Sequence, residues 1–491
     1  MVRKLLVVFL LLPVVALPVE RIVYFKAGQP AALVAGWLAA IGLGIAVFRL
    51  MREPHGPSDI TRITPLRGAR FDPARHWRPS RGVFLGLVHP AKKPLYIESA
   101  LYRERHMQII GPTGSGKGVL LGNLAAQAVA AGSGLVVIDP KRDEFMPHIL
   151  AEACDRAGRV LHIVDLQEGR PGGWQPFRAG RAHERVARAI EAFGLEPSGS
   201  TADFYKVEGK ELLTRLMGKT DGSIGKALAW LDADERNLRP GQKLPGILER
   251  NYFRIWGRRR NLNPPGGGFN LNKALAVGDV VYLRSDPVDP ELTIPLRAFL
   301  MQIAQWKFAH PASPHLTIIA DEVSLYASAY LAQMLATIRA TGTTMILAYQ
   351  SLTDLEAAAP NPAEGRIIRQ RIDQNCQIKL FYGSQDNLTV EAVEKMSGTR
   401  QVWRRQESRS GLSRSHGRAQ MTEAYIPANV IRRLGQGVAL CFLPAQLAQL
   451  VVTAPVPVAR RFDLEADPRF YTLCPQPEPA GPGASGPISA N

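Results

Sequence analysis

Apolar positions along this chain fall into short unbroken runs rather than a strict alternation. "HMQII" (106–110), "GLVVIDPK" (134–141), "RVLHIVDL" (159–166), "GDVVYLRS" (278–285), "LTIIADE" (316–322), "TTMILAYQ" (343–350), "QIKLFYG" (377–383) and "VALCFLP" (438–444) are such runs. Runs of this length, spaced by helical periodicity, predict strands covered on both faces, hence a largely parallel sheet in an α/β fold. A shorter piece, "GVFLGLV" (82–88), reads as a further strand, and a helix is predicted from about Lys117 to Ala131. Between residues 180 and 276 the pattern is helical with no buried strand, as in "GKELLTRLM" and "GKALAWLDA", so an all-α insertion is expected there. From Pro475 the chain is rich in Pro, Gly and Ser and reads as a disordered tail.

The first fifty residues differ from the rest. Two apolar runs, Leu5–Val19 and Pro30–Phe48, are flanked by Arg3, Lys4, Arg49 and Arg52. The second, about 19 residues and without a charge, is long enough to cross a bilayer core of roughly 30 Å; the first is shorter and is followed by Glu20 and Arg21. The flanking charges put both ends on the cytoplasmic side of a transmembrane hairpin. The alternative for the first run, which holds two prolines, is a cleaved signal followed by a single anchor. The expected division is therefore a hairpin at 1–52, a nucleotide-binding domain in two parts at 53–179 and 277–460 around the insertion at 180–276, and a tail at 461–491.

At 491 residues, 46% of them hydrophobic, the chain supports a large core. Lys and Arg number 60 against 43 Asp and Glu, a formal charge of +17, which favours an anionic partner, nucleic acid or a membrane face. The four cysteines, Cys154, Cys376, Cys441 and Cys474, are far apart, which excludes a CxxC metal or redox motif.

The chemistry concentrates at "GPTGSGKG": Gly111, Pro112, Thr113, Gly114, Ser115, Gly116, Lys117 and Gly118. A GxxxxGK loop between a strand and a helix is a phosphate-binding loop. Its backbone amides nest an anion, and Lys117 reaches the β- and γ-phosphates. ATP and Mg²⁺ are the implied cofactors. Gly118 stands where Ser or Thr usually supplies a hydroxyl to the metal. Asp321, at the end of its strand, is the expected metal ligand, and Glu322 the group that polarises water. Asp139 also ends a strand, either as a loop cap or as part of a loop touching substrate or a neighbour. Gln350 is expected beside the γ-phosphate as a sensor, and Arg339 as a finger reaching a neighbouring subunit's nucleotide. "GRRRN" (257–261) and the run Arg400, Arg404, Arg405, Arg409, Arg414 and Arg418 are candidate contacts to a nucleic-acid backbone.

The ordered set "GPTGSGKGV", "VVIDPK", "WQPF", "FYKVEGKELL", "IIADE" and "IRATGTTMILAYQS", behind two apolar spans, resembles the type IV secretion coupling proteins, the TraG/TraD family, over roughly residues 1–460. The resemblance implies a RecA-like P-loop domain and ATPase activity with a Gly-Lys-Gly ending. Asp321, water and phosphates, with Thr113 or Ser115 as alternatives, would then hold the metal. It further implies a homo-hexameric ring in the bacterial inner membrane with the ATPase part cytoplasmic. Such a ring passes DNA, without sequence preference, from a relaxase complex to the secretion channel proteins. Two other readings compete: a related DNA translocase of chromosome segregation, and a non-motor docking receptor for secreted proteins.

Overall fold

The computed structural model describes residues 71–170, 172–196, 203–239, 241–359, 361–410 and 413–463, with six helical residues between 34 and 42; side chains are described throughout these except at 404–410 and 413–419. The chain divides into two units, Met1–Arg62 and Ile63–Asn491, and all the strands belong to the second.

Among the described residues thirteen strands are formed: β1 (Val83–Val88), β2 (Lys93–Ile97), β3 (Met107–Ile110), β4 (Gly134–Asp139), β5 (Leu161–Asp165), β6 (Val280–Arg284), β7 (Leu316–Ala320), β8 (Thr343–Tyr349), β9 (Ile378–Tyr382), β10 (Thr399–Ser410), β11 (Ser413–Ala424), β12 (Val438–Phe442) and β13 (Gln449–Val452). Eleven make one mixed sheet in the order β2-β1-β13-β12-β9-β3-β8-β7-β4-β6-β5. The seven from β9 to β5 run parallel; β12, β13, β1 and β2 extend the sheet antiparallel. Every residue of β3, β4, β7 and β8 is buried. That is the condition under which strand sequences lose alternation and become apolar runs. The helices Lys117–Ala130 and Met146–Ala157 cover one face through Leu120, Leu121, Leu124, Ile149, Leu150 and Cys154.

Between β5 and β6 the described residues form five α-helices and no strand: Ala182–Phe193, Asp203–Lys219, Ile224–Arg236, Ile247–Arg258 and Leu271–Val277. They belong to the same compact unit as the sheet. The segment after β13 is ordered past the boundary expected at 460. Phe462 is buried, its N–H donates to His148 Nδ1 (3.1 Å), and Arg461 pairs with Glu144 (2.9 Å). Residues 464–491 lie outside the described residues.

The Ser- and Arg-rich run near 400–418 falls in β10 and β11, which pair as an antiparallel ribbon apart from the main sheet, in register from Thr399↔Ala424 to Ser410↔Ser413. One expectation is corrected. The multi-pass inner-membrane placement is not supported: no helix among the described residues is long and apolar enough to cross a membrane. The hairpin expected at 1–52 lies, but for those six helical residues, outside the described residues.

Candidate functional site

β3 ends at Ile110, and the next six residues turn the chain into the helix Lys117–Ala130. Gly114 and Gly116 take φ of +77° and +113°, which side chains disfavour. A Cβ on Gly116 would also come within 3.1 Å of Gly437 Cα. Gly437 N donates to Ser115 O (2.8 Å), so the turn before β12 braces the loop from behind. The helix has no side-chain cap at its start, leaving its first N–H groups to an anion. Lys117 is buried; its Nζ donates to Gly111 O (2.5 Å) and lies 3.7 Å from Glu322 Oε1. Burial pushes its pKa down, against the pull of Glu322 and Asp321.

β8 stands between β3 and β7. Ile110 pairs with Tyr349, and Leu347 with Ala320, so Gly111, Gln350 and Asp321-Glu322 leave the same carboxyl edge of the sheet. Glu322 is only 3% exposed, and its carboxylate is gripped from three sides: Lys117, Lys141 Nζ (2.5 Å) and Gln350 Nε2 (3.2 Å). Its backbone is left-handed (φ 43°, ψ 45°), a conformation that costs a non-glycine residue about 1–3 kcal/mol and collects at functional sites.

Asp321 accepts Glu322 N on Oδ1 (2.9 Å). Burial first, then the negative charges of Glu322 and Asp139, push its pKa up to about 7. The folded metal-free chain thus holds this proton more tightly than an unfolded chain, whose value is 3.8. Its contribution to stability is therefore largest below the unfolded value and is lost as pH rises through about 7. Asp321→Asn is expected to make the metal-free chain more stable than wild type at pH 8, an advantage that shrinks toward pH 5, read by urea unfolding at both pH values.

Asp139 proves to be the loop cap. It accepts N–H bonds from Lys141 (2.9 Å), Arg142 (2.9 Å) and Asp143 (2.6 Å) and the Tyr282 hydroxyl (2.5 Å). This turn aims Lys141 at Glu322, while Arg142 binds Asp165 (3.1 Å) and Ser285 O (3.1 Å). Lys141 is the site residue that sequence reasoning missed. The Asp-Pro-Lys strand end was visible, but not that β4 lies beside β7.

Arg339 does not join this site. It lies exposed in the 3₁₀ turn Ile338–Thr341, before the first residue of β8. That is the opposite edge of the sheet from Gly111, about 20 Å away at roughly 3.3 Å per strand residue. It makes no ion pair among the described residues. Of "GRRRN", Arg259 is held by Asp289 and Glu291 (2.5 Å each), and Asn261 is buried, donating to the carbonyls of Asp165, Arg170 and Gly172. Only Arg258 and Arg260 are exposed.

The cavity over the loop has a volume of ≈ 700 Å³. Lys117, Lys141, Asp143, Asp321 and Glu322 form its polar end; Phe145, Met146, Ile149 and Pro455–Val458 form an apolar wall, with Arg461 nearby. Ser115 Oγ is buried without a partner among the described residues, and Thr113 is exposed. No group of three or more His, Cys, Asp or Glu among the described residues could hold a metal ion. The residues fit an ion that takes part of its oxygen shell from phosphate and water, as Mg²⁺ does.

The fold and loop define a P-loop α/β domain with one strand between the loop strand and the acidic strand. Two family models match the chain: "Type IV secretion-system coupling protein DNA-binding domain" over residues 95–236 and "TraM recognition site of TraD and TraG" over residues 315–436. Together they cover more than half of it, and the chain belongs to the type IV secretion-system coupling proteins. It is 23% identical over 305 residues to Mobilization protein A of Escherichia coli, a match spanning 61% of this chain and 55% of that protein. Among solved structures, the unbound bacterial conjugative coupling protein TrwBdeltaN70 shares 18% identity at a TM-score of 0.58, covering 82% of this chain and 96% of that one. The plasmid coupling protein TrwB in complex with ADP and Mg²⁺ also shares 18% (TM-score 0.55, 83% and 97%), and VirB4 of Thermoanaerobacter pseudethanolicus 15% (TM-score 0.52, 77% and 98%). At these identities the structures establish the fold.

Proposed function

We propose that this chain is an ATP-driven coupling protein that takes DNA from a relaxase complex and passes it to a type IV secretion channel in conjugation. The observation that carries the reading is Lys117 on the phosphate loop lying 3.7 Å from Glu322 across the sheet edge, in a chain of this family. The loop amides and Lys117 would bind the triphosphate, with the base against the apolar wall of Phe145, Met146 and Pro455–Val458. Asp321, with Thr113 or Ser115, would hold Mg²⁺, which supplies charge neutralisation at the β- and γ-phosphates. Glu322, freed from the lysines once phosphate oxygens claim them, orients and deprotonates the attacking water. Gln350, bonded to Glu322, reports the γ-phosphate to β8. Arg339, exposed and without an ion pair among the described residues, is available to the nucleotide of the next copy in a hexameric ring.

The DNA reading draws support from the ribbon of β10 and β11. Arg405 and Arg418 hold opposite register positions, as do Arg409 and Arg414. Like charges placed opposite one another destabilise a strand pair unless an anion is there to offset them. ATP hydrolysis by the full chain is expected to rise on adding DNA of any sequence, and the stimulation to fade as salt rises, because phosphate contacts release counterions. A steady-state ATPase titration at several salt concentrations checks this. Hydrolysis indifferent to every DNA tested sinks the DNA reading and favours delivery of proteins alone.

A further inference from the structure

Gly118 occupies the position from which a P-loop normally offers a hydroxyl to the metal. A Cβ built on Gly118 meets one atom, Asp143 Oδ2, at 3.2 Å, closer than ordinary contact allows. The carboxyl that fills this space is fixed on both sides. Asp143 N donates to Asp139 Oδ2 (2.6 Å), and Asp143 Oδ1 accepts from Phe145 N (2.8 Å) and Met146 N (2.7 Å) at the start of the helix Met146–Ala157. Oδ1 is thereby committed to the helix end. Oδ2 takes no hydrogen bond among the described residues and faces Gly118. Both residues line the cavity that holds Lys117, Asp321 and Glu322.

A serine at 118 would bring its Cβ tightly against Asp143 Oδ2; a glycine leaves the carboxylate its place. The two positions read as one exchange: the loop gives up a hydroxyl, and a carboxylate oxygen from the neighbouring turn arrives within bonding reach of where that hydroxyl would lie. We propose that Asp143, through Oδ2, supplies the oxygen donor that Gly118 lacks, toward the divalent metal of a bound nucleotide or one of its waters. This rests on the nucleotide reading of the same cavity. A hard divalent ion prefers oxygen donors and keeps several waters, so a carboxylate held by its other oxygen suits its shell. The expected cost of losing such a donor is of the order found for groups that orient a metal's shell, about tenfold in metal affinity.

The test uses the full chain with Mn²⁺ and ADP, reading bound Mn²⁺ by electron paramagnetic resonance, and in parallel ADP affinity in EDTA by calorimetry. Asp143→Asn keeps an oxygen to cap Phe145 and Met146 but removes the charge. It is expected to weaken Mn²⁺ retention with ADP about tenfold and to leave ADP affinity in EDTA unchanged. Asp143→Ala clears the space beside residue 118, and adding Gly118→Ser to it is expected to restore part of the Mn²⁺ affinity that Asp143→Ala loses. Mn²⁺ retention unchanged by Asp143→Asn, or a parallel fall of ADP affinity in EDTA, overturns the proposal and leaves Asp143 a helix cap. No regain with Gly118→Ser overturns the exchange between the two positions. A wild-type chain that binds ADP in neither condition overturns the nucleotide reading itself, a result distinct from the others.

Discussion

Glu322→Gln is expected to cut ATP hydrolysis by about 10²–10⁴-fold, the range that a positioned general base contributes, while nucleotide binding survives. The reason lies in the geometry of the side chain. Glutamine has the size to keep the buried place of Glu322, and its amide oxygen can still take the Gln350 bond now made at 3.2 Å. What disappears is the charge. Lys117 and Lys141 lose their shared counter-ion, so the cavity turns more positive and phosphate binding is held or strengthened. Deprotonation of water, by contrast, has no acceptor left. Single-turnover hydrolysis and ADP affinity measured on the same preparation separate the two effects. Hydrolysis unchanged would mean that Glu322 only holds two lysines; binding lost as well would mean that it only shapes the loop.

How much of this was legible in the chain depends on what each residue touches. The phosphate loop was readable because its requirements are local: positive φ at Gly114 and Gly116, a lysine one residue on, a buried strand before and a helix after. Asp321 and Glu322 were readable because β7 is buried on both faces and ends in two acids. Lys141 was not, since its role follows from strand order, and neither β4 beside β7 nor β8 beside β3 is written in any local pattern. Strand β2 opens on Lys93 and Pro94 and buries only alternate residues, and β13 offers three buried residues just before a proline-rich segment, so neither shows the longer apolar run of the central strands. The β10–β11 ribbon was hidden for another reason: it stands apart from the main sheet, and charge and serine, not an apolar run, dominate its composition. The wall at Pro455–Val458 was invisible because proline-rich sequence gives no strand or helix signal, while its contacts lie some three hundred residues upstream, as with Phe462 on His148.

The helical region between β5 and β6 carries the largest expected stability effect, at Arg250. This arginine sits in the helix Ile247–Arg258 with a side chain fully shielded from solvent. Its guanidinium contacts Asp234, reaches Glu235 Oε1 and Leu231 O (3.4 Å each) and donates through Nε to Pro245 O (2.9 Å). Each neighbour is oriented by it: Pro245 in the turn that starts its own helix, the two acids at the end of Ile224–Arg236. Arg250→Ala removes the cation, strands acceptors and opens a void, and is expected to cost about 3–5 kcal/mol, the range for breaking a buried pair by deleting one partner. Arg250→Met fills the void without the charge and should cost less. Asp234 and Glu235 keep Arg215 (3.5 Å) and Arg254 (2.5 Å), and both acids retain some solvent contact. Urea unfolding of the three proteins, with ADP affinity as control, decides the matter. Equal losses for Ala and Met would assign the effect to charge alone. A loss within about 0.5 kcal/mol, typical of surface positions, would mean that the two acids re-solvate freely and that packing between these helices does not depend on the arginine.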